Sequence, residues 1–342
     1  MRKTPHQYTF RKGGKIVEKR NVGLMGMVFF MAAVMIFGLG SGVQAEYPKS
    51  PVSMIVPYSP GGATDFQARI VTMMAGSEKF LGQPIVIINK PGAGGQVGWN
   101  WCAQKAPKDG YVMLSYNVPH FIAQSIVFKT KYNIETFAPV ANWGADPAVL
   151  IVGKDSPFNT VQDLLEYAKK NPGKVTVSGA GLYVGHHIAF LQLSKATGVK
   201  MTYIPEKGGV PAMQSVVAAK VKAGFNNLSD AFRNKDRLKI LAVADLERND
   251  FLPDVKTFKE QGIDIDDSSV NFRGVAFPAG VSDDILKKAS DVFPKMFNSK
   301  KTLKKMKGSG SPVRVMTRDQ VIKMWQERQI YLEGLLKNLK KK

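Results

Sequence analysis

Apolar and polar positions along this chain alternate in two rhythms. Short apolar runs bounded by Gly, Pro and Asn read as buried strands over 52–56, 84–88, 110–115, 148–152, 175–178, 200–204, 238–244 and 274–278. Between them, apolar residues recur at helical spacing over 66–74, 96–105, 160–170, 185–197, 211–219, 282–297, 300–307 and 317–338. Thr160 is placed to cap its helix, as is Thr64 or Asp65 the first one. Along the last helix, Val321, Ile322, Trp325, Ile330, Leu332, Leu335 and Leu336 are available for packing, with lysines outside. The strand–loop–helix order predicts an α/β protein whose opening strands form a parallel sheet covered by helices. Crossings near 145 and 250 would divide it into two units.

The start of the chain follows another pattern. Seven basic residues between Arg2 and Arg20 precede an uncharged apolar run over 24–40, and small residues lead up to Ala45. That is the layout of a secretory signal cut after Ala45, and the run is short for a bilayer span, which takes about 20 residues. Export and a soluble mature chain are therefore expected.

Charge then changes its meaning. The 342 residues carry a formal +21, but residues 1–45 hold +6 of it and 287–342 another +12, leaving about +3 between. A uniformly basic nucleic-acid face is not what this distribution describes, and the lysines over 300–307 lack interleaved aromatics for base stacking. A single cysteine, Cys102, excludes an internal disulfide framework, and four histidines give little scope for a metal site. Adjacent residues of a helix point apart, so His186 and His187 suit capping or packing better than shared metal ligation. No Gly-x-Ser-x-Gly, P-loop or dinucleotide fingerprint is present, and Ser178 lacks an evident acid–base partner. No enzyme activity, cofactor or metal is expected.

What stands out is three glycine-rich loops at strand ends: Ser59-Pro-Gly-Gly-Ala-Thr-Asp65, Asn89-Lys-Pro-Gly-Ala-Gly-Gly95 and Ser178-Gly-Ala-Gly181. Glycines let backbone N–H groups approach a ligand, and a helix beginning just beyond aims its positive end at an anion. Open α/β sheets bind ligands at that edge.

These loops also carry a family resemblance. Tyr47-Pro48, Ile55-Val-Pro-Tyr-Ser-Pro-Gly-Gly-Ala-Thr-Asp65 with Arg69, the Asn89 loop, Ala106-Pro-Lys-Asp-Gly-Tyr111, Phe137-Ala-Pro-Val140, Asn171-Pro-Gly-Lys174, Ser178-Gly-Ala-Gly181 and Pro205-Glu-Lys-Gly-Gly209 occur in order. Leu241-Ala-Val243, Arg248, Leu252-Pro-Asp254, Phe272-Arg-Gly274 and Phe277-Pro-Ala-Gly280 follow. The set resembles the substrate-binding proteins of tripartite tricarboxylate transporters, the Bug or TctC-like family. The resemblance implies a two-lobed periplasmic binding protein of the type II, Venus-flytrap kind, with a mixed, mainly parallel sheet in each lobe. Lobe 1 would take 46–145 and 252–342, and lobe 2 would take 146–251.

It further implies a small organic carboxylate held in the interlobe cleft and delivered to membrane permease subunits, or alternatively reported to a sensor kinase, by a monomeric periplasmic protein. A periplasmic enzyme on the same scaffold is the least supported rival. Ligand contacts carried over residue by residue are Tyr58, Ser59, Gly61, Gly62, Ala63, Thr64 and Asp65 on one side, and Ser178, Gly179 and Gly181 on the other. Asn89, His187, Glu206 and Lys207 are further candidates. The loop after Gly181 departs from the family pattern, since Leu182-Tyr-Val-Gly185 intervenes before the histidines, and Glu206 stands where a Tyr is usual.

Overall fold

The computed structural model describes residues 47–337, so the proposed secretory signal lies outside the described residues. Two mixed sheets organise the rest, and their strands divide cleanly along the chain. The first contains β1 (Val52–Val56), β2 (Ile85–Asn89), β3 (Val112–Val118), β4 (Phe137–Asp146), β10 (Asn271–Pro278) and β11 (Val313–Met316), in the order β11-β4-β10-β3-β1-β2. The second contains β5 (Ala148–Gly153), β6 (Thr176–Gly179), β7 (Thr202–Pro205), β8 (Ala223–Asn227) and β9 (Leu238–Ala244), in the order β7-β6-β8-β5-β9.

The opening strands pair as the sequence predicts: β1 lies parallel between β2 and β3. Strand β10 then joins antiparallel to both β3 and β4. In the second sheet β6 is parallel to β7 and β8, whereas β5 is antiparallel to β8 and β9. The chain passes from one sheet to the other through Pro147 alone. It returns somewhere between Ala244 and Asn271, and Phe258 and Ile265 still pack into the second sheet's core.

Helices cover the sheets: α1 (Ala63–Thr72), α2 (Gln96–Lys105), α3 (His120–Val127), α4 (Val161–Lys170), α5 (Gly185–Thr197), α6 (Gly209–Val217), α7 (Leu228–Arg233), α8 (Asp283–Phe297), α9 (Lys300–Gly308) and α10 (Arg318–Leu336). Thr160 caps α4 in a reciprocal capping box with Asp163. The expected cap of α1 is corrected. Gly62 occupies the N-cap position with no side-chain cap, which puts Thr64 and Asp65 inside the first turn.

In α10, Val321, Trp325, Leu332 and Leu336 are buried but Ile330 is 72% exposed, another correction. At 100° per residue Ile330 falls well off the stripe that Trp325 and Leu332 define. Trp325 meets Phe121 and Tyr116 edge-on, with ring centroids 4.8 and 5.0 Å apart, contacts worth about 0.5–1.5 kcal/mol each beyond area burial. Among the described residues no helix is long and apolar enough to cross a membrane.

Candidate functional site

A cavity between the two sheets is lined from the first sheet's side by Tyr58, Ser59, Gly62, Ala63 and Thr64, together with His120 and Asn271. The loop that supplies this wall is rigid for local reasons. Gly61 adopts φ +81°, the left-handed region that glycine enters without strain. Its N–H donates to Asp65 Oδ2 at 2.9 Å. Asp65 also accepts from Arg69 Nη2 and from Asn89 Nδ2, both at 2.9 Å, and Asn89 donates to the Tyr58 carbonyl. Burial pushes the Asp65 pKa up, but the bonds from Arg69, Gly61 and Asn89 outweigh it and hold the carboxylate below its ordinary value. Gly61, Asp65 and Asn89 therefore staple the loop from behind, while Gly62, Ala63 and Thr64 face the cavity. The Tyr58 hydroxyl donates to the Gly94 carbonyl at 3.0 Å, so the second glycine loop buttresses the first.

The opposite wall comprises Ala180, His186, Gly208, Gly209, Val210, Pro211, Asn227 and Asp230. Here the Ser178 loop plays a different part from the one the resemblance implies. Ser178 Oγ donates to the Ala212 carbonyl at 2.8 Å. Gly179 lies so close beneath Tyr203 that a Cβ would sit 2.1 Å from the ring hydroxyl, and Gly181 packs on Gly94. None of the three lines the cavity, and Ala180 does instead.

His187 Nδ1 accepts from the Tyr183 N–H, and its ring packs 4.4 Å from that of Tyr203, away from the lining. Glu206 accepts from Ser215 Oγ at 2.7 Å, and Lys207 is exposed; neither reaches the cavity.

A buried polar network floors both walls. Arg273, at 0% exposure, donates to Asp146 at 2.6 Å, to Asn227 Oδ1 at 2.7 Å and to Thr64 Oγ1 at 3.2 Å. Asn117 donates to Thr64 and to Asn271, each at 3.0 Å, and Asn271 donates to Asn227. Two residues that face the cavity from opposite sheets, Thr64 and Asn227, are thus fixed by one guanidinium. Asp230 binds the Ala63 N–H and Asn227 Nδ2, each at 3.3 Å, and pairs with Arg233. Burial raises its pKa against the opposing pull of Arg233.

The lining holds no Lys or Arg. Its backbone donors come from the first turns of α1 and α6, whose N-terminal N–H groups and dipoles favour negative charge. That arrangement suits an anion held without a counter-charge. It is poorly suited to covalent chemistry: Ser178 is committed to a carbonyl, and burial pushes the Cys102 thiol up to about 12, which leaves it protonated at neutral pH. No group of three or more His, Cys, Asp or Glu among the described residues is placed to hold a metal.

Sequence reasoning missed His120, Asn227, Asp230 and Asn271. The available signal was polar side chains at the ends of otherwise apolar strands, Asn226-Asn227 closing β8 and Asn271 opening β10.

Residues 68–340 match the family described as "Tripartite tricarboxylate transporter family receptor". The protein in the gbd 5' region of Cupriavidus necator is 31% identical over 79% of this chain and 82% of its own. BugT of Bordetella pertussis is 31% identical over 70% and 75%. Among solved structures, the periplasmic binding protein BugD is 28% identical, with a TM-score of 0.78, over 85% of this chain and 98% of its own. MatC from Rhodopseudomonas palustris, with bound malate, is 25% identical, with a TM-score of 0.77, over 85% and 100%.

Proposed function

From the premise that the chain belongs to the tripartite tricarboxylate transporter receptor family, we propose that it is an exported, monomeric solute-binding protein. It captures a small organic carboxylate in the cavity between its sheets and hands it to the membrane permease of a tripartite tricarboxylate-type system. It catalyses no reaction. The observation that carries this reading is the convergence of the first turns of α1 and α6 on one cavity without a basic side chain. A carboxylate fits that environment, because several backbone N–H groups share its charge.

Similarity to MatC with malate and to the periplasmic protein BugD supports both the ligand class and the compartment. A secretory signal over residues 1–45 would take the chain there. Tyr58, Ser59, Gly62, Ala63 and Thr64 contact the ligand from lobe 1, and Ala180 and Gly208–Pro211 contact it from lobe 2. We divide the lobes at 147 and, because Phe258 and Ile265 pack with the second sheet, near 270 rather than 252. The cavity has a volume of only about 30 Å³, so the lobes part to admit a ligand.

The test pairs two measurements. Membrane proteins captured by the loaded chain should include permease subunits, and deletion of its gene should abolish uptake of the carboxylate that binds. Capture of a histidine kinase with uptake intact would replace delivery by sensing. Conversion of a bound ligand to a product would overturn the reading.

A further inference from the structure

The basic excess late in the chain has a definite place in the fold. Between Asp291 and Asp319 there is no acidic residue, whereas Lys295, Arg314 and Arg318 flank five lysines on α9: Lys300, Lys301, Lys304, Lys305 and Lys307. All five are exposed. The helix is docked by its other side. Thr302 and Met306 are 1% and 0% exposed, and Thr302 Oγ1 donates to the Met296 carbonyl at 3.0 Å. At about 100° per residue the lysines fill one continuous arc of about 160°, with Lys304 near its middle and Thr302, Leu303 and Met306 outside it.

That arc is uncompensated. None of the five lysines makes an ion pair among the described residues. Helix α9 packs against α1, α8 and β11, and the acids on those elements are engaged or remote. Asp65 of α1 is held by Gly61, Arg69 and Asn89. Asp291 of α8 pairs with Lys287, and Asp283 and Asp284 open that helix at its other end. Strand β11 adds a further cation, Arg314.

Composition decides what such a face fits. Protein interfaces favour aromatic residues and Arg and are depleted of Lys, and α9 holds no aromatic residue and no Arg. Lysine is a compact, strongly hydrated point charge that attracts an anionic surface without a fixed pairing geometry. Roughly four to eight such residues on the polar face of a helix are the pattern of adsorption to anionic phospholipid. No large apolar side chain of α9 is exposed, so the adsorption is electrostatic and peripheral, without insertion.

Resting on the export proposed above, we infer that the lysine face of α9 adsorbs the exported chain to anionic phospholipid headgroups at a membrane surface. This holds the chain where its proposed permease lies and makes its search for that partner two-dimensional.

Co-sedimentation with lipid vesicles tests this, using residues 46–342, because the leader is itself basic and apolar. The chain should bind vesicles of equal parts phosphatidylglycerol and phosphatidylcholine, leave them as salt is raised, and ignore phosphatidylcholine alone. Lys304→Gln should weaken binding about fivefold, and the combination of Lys300→Gln, Lys301→Gln, Lys304→Gln, Lys305→Gln and Lys307→Gln at least about a hundredfold. Arg at the same five positions should retain binding. Removing the same charge from exposed positions of lobe 2, with Lys154→Gln, Lys169→Gln, Lys170→Gln, Lys195→Gln and Lys220→Gln, should change binding by less than about twofold. Lys304→Gln alone and the Arg set carry the test should the fivefold Gln variant not fold. No preference for phosphatidylglycerol, insensitivity to salt, or equal losses from the α9 and lobe 2 sets overturns the inference. So does binding to membrane preparations but not to lipid vesicles, which would give the face to a membrane protein. Export is read separately, by cell fractionation, so either reading can fail without the other.

Discussion

The two cavity walls are built from glycine-rich loops that look alike in sequence and work in opposite ways. Around Gly62 a Cβ would meet nothing closer than 3.6 Å, so the missing side chain leaves backbone open toward the cavity. Gly179 and Gly181 instead admit neighbours, Tyr203 in one case and Gly94 in the other. Glycine at a strand end thus has two uses, exposing main-chain donors and permitting close packing. Sequence alone does not separate them, because the deciding contact comes from a residue remote in the chain. The lesson applies to any family in which paired glycine motifs are assigned together to the ligand.

The largest expected effect comes from beneath both walls. Arg273→Met strands Asp146 as a buried, unpaired charge and frees Thr64 and Asn227, and should cost about 3–5 kcal/mol of stability by denaturant titration. The glycine pair gives the sharpest contrast. Gly179→Ala drives a methyl into Tyr203 and should cost about 1–3 kcal/mol. Gly62→Ala should stay within about 0.5 kcal/mol of wild type in stability yet weaken ligand binding, because its methyl enters the cavity lining. Equal stability losses at both positions would erase the distinction between the walls.

Acid separates the buried histidines, which include His120 on the first wall, from Asp65. His186 and His187 both have folded pKa values lowered to about 4 from 6.5 by burial. The unfolded chain takes up their protons first, so the stability they contribute is complete above about 6.5 and is lost as pH falls from there to about 4. On the first wall, the Asp65 pKa is lowered from 3.8, so its contribution is lost only at still lower pH. Unfolding free energy followed against pH should show the histidine-dependent loss first, and His187→Phe should shallow that part of the slope. Ser178→Ala loses one bond to the Ala212 carbonyl and should cost about 1 kcal/mol, with ligand affinity unchanged. A large loss of affinity there would return Ser178 to the cavity.

Legibility followed periodicity. The apolar run 238–244 and the amphipathic helix capped by Thr160 were predicted at the bounds they take, because a buried strand and a half-buried helix leave direct traces in residue pattern. Strand β4 escaped notice, since Pro139, Asn142 and Gly144 interrupt its apolar run, and they are accommodated by irregular pairing with β10. Strand β8 was missed because Ala-Gly-Phe-Asn-Asn carries its burial in small and polar residues. The first cavity wall was legible because it is one contiguous loop. The second was not: Ala180, His186, Gly209, Asn227 and Asp230 come from separate segments that only the folded second sheet brings together. Asp65 illustrates the remaining difficulty, since its short sequence distance from Gly61 fits a cap, a ligand contact or the staple that it forms.

The most direct test of the central claim is thermal unfolding of the chain, refolded to remove carried-over ligand, against small carboxylates and their uncharged amides. A carboxylate at about a hundredfold its dissociation constant should stabilise the protein by about 2.7 kcal/mol and raise the midpoint by a few degrees, while its amide does nothing. An amide or amine that stabilises the chain where carboxylates of the same size do not would contradict an anion held at helix N-termini.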